Sequence, residues 1–448
     1  MRYVARAKVS PPTTPPPFRS YLCPFVHRPE CMRAIYHCCA LFLFPIWLGG
    51  QPLAVSAIEF EGYGRNDSLY LRRFVQHLTG SPLDEERVRT DVFALRRLPG
   101  IAHAEARYDT LADATLRLVY VLQPQRTLLP IAGLGGIQDN FWVQAGLVEY
   151  NLRGRNQTLL GYYLNNDRRS GGQLYYANPR YRGGRWGYAA DLRHYASIEP
   201  LYFPERVDYD YQNTGAGLTG FHHPNLRTQL TFGLNYFEER YAKLRPGEGP
   251  GPDRRRDRKL LCSAGVQRNG LEYDYFYRKG GTQQLLLQQV STLGVPGGFW
   301  SAALTGTQFW RPSPRRNIGL RYRAALATNR ESPFAPFVLD SQFKLRGVGN
   351  RVDRGTAQFV VNLELRQTLY DGRLWALQGI AFLDAGTWRN PGGTFAEAFN
   401  GSALRTFVGP GLRLINKRIF QFILRIDYGV DVRDAQQRGW VLGVGQYF

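Results

Sequence analysis

The chain has 448 residues, 44% of them apolar and 14% aromatic, with 48 glycines and a formal charge of +21. Mean hydropathy is −0.35, and after residue 50 nothing approaches the roughly 18 uninterrupted apolar residues a spanning helix needs, so helical membrane crossing is excluded. The charge is mostly arginine spread along the chain, which argues against a nucleic-acid partner and for contact with acidic lipid headgroups or polyanionic surface glycans.

Residues 1–31 are rich in Pro and Arg and carry neither a fold pattern nor a targeting signal. From Met32 the character changes: Arg33 is basic, 40–48 is an apolar core, and Gly49, Gly50 and Ala54 are small. This is the three-part layout of a secretory signal peptide, so translation is expected to start at Met32 and cleavage to fall between Gly50 and Ala57. Residues 1–54 are therefore expected to lie outside the folded protein. Of the cysteines only Cys262 follows residue 39, which leaves no internal disulfide. The seven histidines lack ligand spacing, so no metal site is expected, and no motif calls for a cofactor.

Residues 55–123 predict a small α+β domain. The stretch 57–62 alternates as a strand, and Ser68 is placed to cap a helix carrying Leu69, Leu71, Phe74, Val75 and Leu78. Asp84 caps a second helix with the stripe Val88, Val92, Leu95 and Leu98, stopped by Pro99-Gly100. Strands are expected at 101–108 and 115–121.

From Thr127 onward sixteen strands are predicted, at 127–136, 142–152, 157–167, 171–181, 186–196, 208–220, 228–240, 259–274, 279–292, 298–311, 317–328, 357–370, 374–388, 404–416, 419–430 and 438–448. The alternation is clearest where Leu230, Phe232, Leu234 and Tyr236 interleave with Gln229, Thr231, Gly233 and Asn235. An even count lets antiparallel strands close without an open edge, and charged residues inside such strands must face the lumen. Connections after even strands are tight (153–156, 182–185, 371–373, 416–418), whereas several after odd strands are long (197–207, 241–258, 329–356, 389–403). The run Arg254-Arg255-Arg256-Asp257-Arg258-Lys259 falls in one of these and reads as a solvated loop. The last predicted strand runs to Phe448, with Trp440, Leu442, Val444 and Phe448 on one face and Tyr447 on the other. The fold class is an all-β transmembrane barrel, residues 127–448, preceded by one small α+β domain.

Five phrases follow one another along the chain: Lys344-Leu-Arg346-Gly347-Val348-Gly349, Asn362-Leu-Glu364-Leu-Arg366, Phe382-Leu-Asp384, Gly409-Pro-Gly411-Leu-Arg413 and Arg425-Ile-Asp427-Tyr428. Together with Glu149-Tyr-Asn151-Leu-Arg-Gly154 and a terminal Tyr447-Phe448, they resemble the barrel signature of the Omp85 superfamily, whose loop motif is Arg-Gly-Phe/Tyr. Val348 departs from the usual aromatic, which puts stacking at the loop tip in doubt. The β-α-α-β-β order of 55–123 resembles a POTRA domain, the module that precedes such barrels. The resemblance implies that Arg346 folds into the lumen against Glu364 and Asp384, with Asp427 on the lumenal face of the fifteenth strand. It also implies the outer membrane of a Gram-negative type as location, with the N-terminal domain in the periplasm. Expected partners are the lipid bilayer and unfolded outer-membrane or secreted clients, received at the POTRA sheet edge. Any accessory proteins are unidentified. A passive pore or a secretion pore for one dedicated polypeptide are the competing readings. No Gly-x-Ser-x-Gly elbow, His–nucleophile pair or phosphate loop is present, so no enzyme is expected.

Overall fold

The computed structural model describes residues 53–112, 115–137, 140–166, 169–203, 205–294, 298–329, 335–339, 344–348, 353–398 and 403–448. The signal peptide and the Met32 start lie outside them.

The N-terminal domain comprises β1 (Val55–Glu61), α1 (Ser68–Arg72), α2 (Glu85–Arg96), β2 (Ile101–Thr110) and β3 (Leu116–Pro124), with the sheet order β1-β3-β2. The predicted β-α-α-β-β order is present. The first helix is capped by Asp67 rather than Ser68, and it stops at Arg72 instead of continuing to Leu78. The reason lies in α2. Buried Asp91 accepts hydrogen bonds from the amides of Gln76 (2.7 Å) and His77 (3.2 Å) and from the Tyr120 hydroxyl (2.7 Å). Those amides would otherwise continue the helical ladder, so the carboxylate ends α1 while satisfying itself in the core. Leu71, Leu95, Leu118 and Tyr120 close that core.

The remaining strands are β4 (Leu128–Ile137), β5 (Asn140–Leu152), β6 (Gln157–Asn166), β7 (Arg169–Asn178), β8 (Trp186–Phe203) and β9 (Glu205–His222). Next come β10 (Thr228–Lys243), β11 (Arg254–Asn269), the short β12 (Glu272–Asp274), β13 (Tyr277–Thr292), β14 (Gly298–Ser313) and β15 (Arg316–Ala327). The chain ends with the small pair β16 (Phe337–Leu339) and β17 (Asp353–Gly355), then β18 (Ala357–Asp371), β19 (Trp375–Arg389), β20 (Arg405–Asn416), β21 (Ile423–Asp431) and β22 (Arg438–Val444). Setting aside β12, β16 and β17, sixteen antiparallel strands form a closed barrel in which β22 meets β4. Leu192, Leu218, Phe232, Leu365 and Trp440 point outward, 46–64% exposed, as a lipid-facing belt requires.

Two predicted loops are strand. Residues 197–203 and 205–207 extend the β8–β9 hairpin, which stays in register as far as Phe203↔Glu205. The Arg254–Lys259 run belongs to β11, not to a solvated loop. It pairs with β10, where Arg256 and Arg258 meet Glu238 and Lys259 meets Glu239. The cross-strand carboxylates that make this possible lie some twenty residues away and carry no local signature. A third correction concerns the end of the chain: β22 stops at Val444. Gly445 takes φ 97°, a left-handed conformation that turns Gln446, Tyr447 and Phe448 out of the strand.

The N-terminal domain packs against the tight connections of the barrel. Asn151 Nδ2 donates to Asn66 Oδ1 (2.8 Å), Arg155 pairs with Asp67 (2.7 Å), and the Arg97 guanidinium donates to the carbonyls of Leu226 and Asn269. This end of the barrel is called the near end below, and the end bearing the 328–356 connection the far end.

Candidate functional site in the barrel lumen

In the connection between β15 and β18, the described residues 344–348 fold back into the barrel. Leu345 buries against Val360 and Phe407, and Val348 packs on the same group. Gly347 has φ 96°, and a Cβ placed there would lie 2.6 Å from the Gly429 carbonyl oxygen. A Cβ on Gly429 would in turn meet the Arg346 carbonyl at 2.4 Å. Two glycines are thus what allow loop and wall backbones to touch.

This contact delivers Arg346 into a fully buried ionic cluster. Its Nε and Nη2 donate to Asp384 Oδ2 and Oδ1, each at 2.8 Å, and its main-chain N–H donates to Oδ2 at 2.9 Å. Its Nη1 donates to Glu364. Asp384 therefore receives the fork bidentately while Glu364 takes the remaining donor. Asp427 is a more distant neighbour of Arg346 at 3.8 Å; its own bidentate partner is Arg413, at 2.8 and 3.0 Å. Arg366, two residues from Glu364 on the same face of β18, donates to Glu364 at 2.7 Å. Three guanidinium groups thus face three carboxylates, all of them at most 1% exposed. Burial of so many charges is tolerable only with this pairing, since an unpaired ion inside costs several kcal/mol.

Aromatic rings complete the cluster. The Arg346 guanidinium lies 3.7 Å from the Phe382 ring centre and 4.3 Å from that of Tyr447. The stacking doubted because of Val348 is supplied by these two rings from outside the motif. Tyr447 and Phe448 arrive through the turn at Gly445. The Phe448 carbonyl accepts from Arg366 at 2.9 Å and the Tyr447 carbonyl from Arg321 at 3.2 Å. The Phe448 ring lies beside Phe309, at 6.1 Å.

A second anchor holds the same connection to the other side. Arg354 in β17 pairs with Glu199 of β8 at 2.5 Å and donates to the Ala335 carbonyl at 3.2 Å. β8 is the fifth spanning strand and β18 the twelfth of sixteen, so one connection is pinned to nearly opposite walls. Arg366 and Arg413 escaped assignment in the sequence although both stand in the quoted phrases, and Tyr447 was read there as part of the terminal strand signal, not as a neighbour of Arg346. Spacing of two from Glu364 was a usable signal for Arg366; pairing of Arg413 with Asp427 across strands was not.

The wall at the β4–β22 closure is thin. Among the described residues β22 and β4 share two ladder positions, Leu442↔Leu134 and Gly443↔Gly133. Every other neighbouring pair of spanning strands shares seven or more, up to the eighteen of β8 and β9.

A closed sixteen-stranded barrel with a lipid-facing belt, a lumenal ionic cluster and a small domain at one end is an outer-membrane β-barrel protein. Residues 151–448 match the Omp85 superfamily domain, and the chain belongs to that superfamily. Solved structures share the fold. BamA from Haemophilus ducreyi lacking POTRA domains 1-3 has TM-score 0.51 and 17% identity, over 88% of this chain and 84% of that one. CdiB from Acinetobacter baumannii gives 0.55 and 14%, over 88% and 74%. CdiB from Escherichia coli gives 0.57 and 11%, over 88% and 77%. No curated protein matches by sequence. Membership makes a general role in outer-membrane insertion or translocation the functional class.

Proposed function

We propose that this protein inserts β-rich client polypeptides into the outer membrane, or passes them across it, with the β4–β22 seam as the point of opening. The N-terminal domain lies in the periplasm and acts as a single POTRA module, and the far end faces outside the cell. The observation that carries this reading is the two-position seam in a barrel whose other strand pairs share at least seven. Parting two ladder positions costs far less than parting any other neighbours, because each lost pair exposes backbone groups that lipid cannot satisfy. Arg346, with Glu364, Asp384 and Asp427, acts as a latch that keeps the β18–β21 wall rigid while the seam moves. The sheet order β1-β3-β2 leaves an edge for strand addition by a client.

A passive pore is the competing reading, and a lumen crossed by a connection pinned on two walls weighs against it. Depletion of the protein followed by proteomics of the outer membrane tests the proposal. Loss of many barrels together is expected. Loss of one surface polypeptide alone would replace it with a dedicated secretion pore, and an unchanged outer membrane would leave the passive pore.

A further inference from the structure

The foot of the seam contains a site of its own. Below Gly133, residues 128–132 of β4 have no ladder partner on the β22 side. The next contact is at the very base, where the Arg126 amide donates to the Arg418 carbonyl (2.8 Å) and the Phe420 amide donates to the Arg126 carbonyl (2.7 Å). Beside this base lies an open groove shared by the N-terminal domain, the first barrel turn and the 417–422 turn.

Its charge is one-sided. Arg65, Arg126, Arg153 and Arg418 line it, all four are exposed, and none forms an ion pair among the described residues. The one carboxylate in the lining is Glu149, whose oxygen accepts from the Asn151 amide at 2.7 Å. Four like charges brought together from four segments repel one another unless an anion joins them. Nearby, Arg155 is paired with Asp67.

Its height on the barrel is also defined. Leu374 lines the groove and sits between Tyr370 and Trp375, both exposed on the outer surface, and Leu128 is 54% exposed. Exposed Tyr and Trp mark the membrane–water interface of a barrel, where lipid headgroups lie. From Leu128 the apolar surface continues upward through Pro130 and, on the neighbouring strand, Leu147, 56% exposed. Guanidinium groups at headgroup level with an apolar path rising from them match a phosphate carrying acyl chains.

We infer that the groove at the foot of the β4–β22 seam binds the headgroup of an anionic phospholipid, its phosphate held among Arg126, Arg153 and Arg418 and its acyl chains against Leu128 and Leu374. The occupant stops the gap between the unpaired part of β4 and the 417–422 turn. An acidic polypeptide segment would satisfy the charge but leave the apolar path uncovered. Only the assignment to the periplasmic leaflet rests on the orientation proposed above; the site itself does not depend on the client.

The test is native mass spectrometry of the full barrel with its N-terminal domain, delipidated in detergent and titrated with phosphatidylglycerol or phosphatidylcholine. Phosphatidylglycerol is expected to be retained at one copy, at a concentration at least tenfold below that needed for phosphatidylcholine. The triple variant R126Q/R153Q/R418Q removes three charges worth about fivefold each, so retention should fall about a hundredfold. The variant R185Q/R315Q, at the same end but outside the groove, should lose about threefold or less. Equal retention of the two lipids, or equal losses in the two variants, overturns the proposal. So does displacement of the lipid by millimolar inorganic phosphate, or by a poly-glutamate peptide. Heat-modifiable gel mobility reports whether the triple variant folds. If it does not, a photo-reactive residue at Leu128 in the wild-type background decides, with phosphatidylglycerol crosslinked and phosphatidylcholine not expected.

Discussion

Two walls of this barrel, separated by β20 and β21, are built on different physical terms. The wall of β18 and β19 shares fourteen ladder positions, carries the buried Arg346–Asp384–Glu364 cluster and is pinned by a connection packed glycine to glycine. The β4–β22 wall has two ladder positions, glycine at one of them on both strands, and unpaired arginines at its foot. Rigidity at one wall and weakness at the other teach that a closed barrel need not be uniform. Charge burial, which demands fixed geometry, is placed where the ladder is long, and the short ladder is left free of it.

Removing Arg346 should break this contrast most strongly. Arg346→Ala leaves Asp384 and Glu364 buried with one partner fewer, a change of about 3–5 kcal/mol. Unfolding in urea, followed by heat-modifiable mobility, should shift to markedly lower concentration. An unshifted midpoint would mean that the ionic cluster does not hold the wall. Joining the weak wall should act in the opposite direction. With Cys262 replaced, a cysteine pair at Gly133 and Gly443 faces across the seam at a spacing suited to a disulfide. Oxidation should stop client insertion while raising resistance to unfolding; a pair at Val361 and Ala385, within the β18–β19 ladder, should leave insertion unchanged. Insertion that survives the seam crosslink removes the lateral-opening mechanism.

Gly347→Ala should sharpen the comparison more gently. The added Cβ meets Gly429 backbone at 2.6 Å, so the loop tip must lift, at about 1–3 kcal/mol. Protease access to the 328–356 connection should rise, with the seam pairing untouched. The smallest effect concerns the contact of N-terminal domain and barrel. His223, in the turn between β9 and β10, donates from Nε2 to the Pro179 carbonyl (2.9 Å). Burial first, and then the charge of Arg180, lower its pKa from 6.5 to about 4. The undocked or unfolded form therefore binds the proton more readily between those values. Stability from this group is complete above pH 6.5 and is lost as pH falls toward 4. Hydrogen exchange at the 223–227 turn should quicken at pH 5 relative to pH 7.5, corrected for intrinsic rates, and should lose that dependence in His223→Gln.

Much of this architecture was legible in the residue order. The period-two alternation of 228–240 and of 357–370 specifies strands that face two solvents, because a strand turns successive side chains to opposite sides. Asp84 and Pro99-Gly100 bracket α2 for equally local reasons, a cap and a stop. The motif phrases carried Arg346, Glu364 and Asp384 in order. What failed was whatever depended on a distant partner. Asp91, fifteen residues ahead, cut α1 short at Arg72 by taking the amides of Gln76 and His77. The basic run at 254–259 became strand because Glu238 and Glu239 lie opposite it. Phe448 left the predicted face because Gly445 reverses the backbone and Arg366 and Arg321 wait inside.

By itself the sequence determined the strand count, the lipid-facing and lumenal faces and the small domain ahead of the barrel, since all of these follow from spacing within a few residues. Which arginine meets which carboxylate, how few bonds close the cylinder, and where unpaired charge gathers at its foot were decided only in three dimensions. Strands hundreds of residues apart become neighbours when the sheet closes, and pairing energy, unlike alternation, belongs to both partners at once.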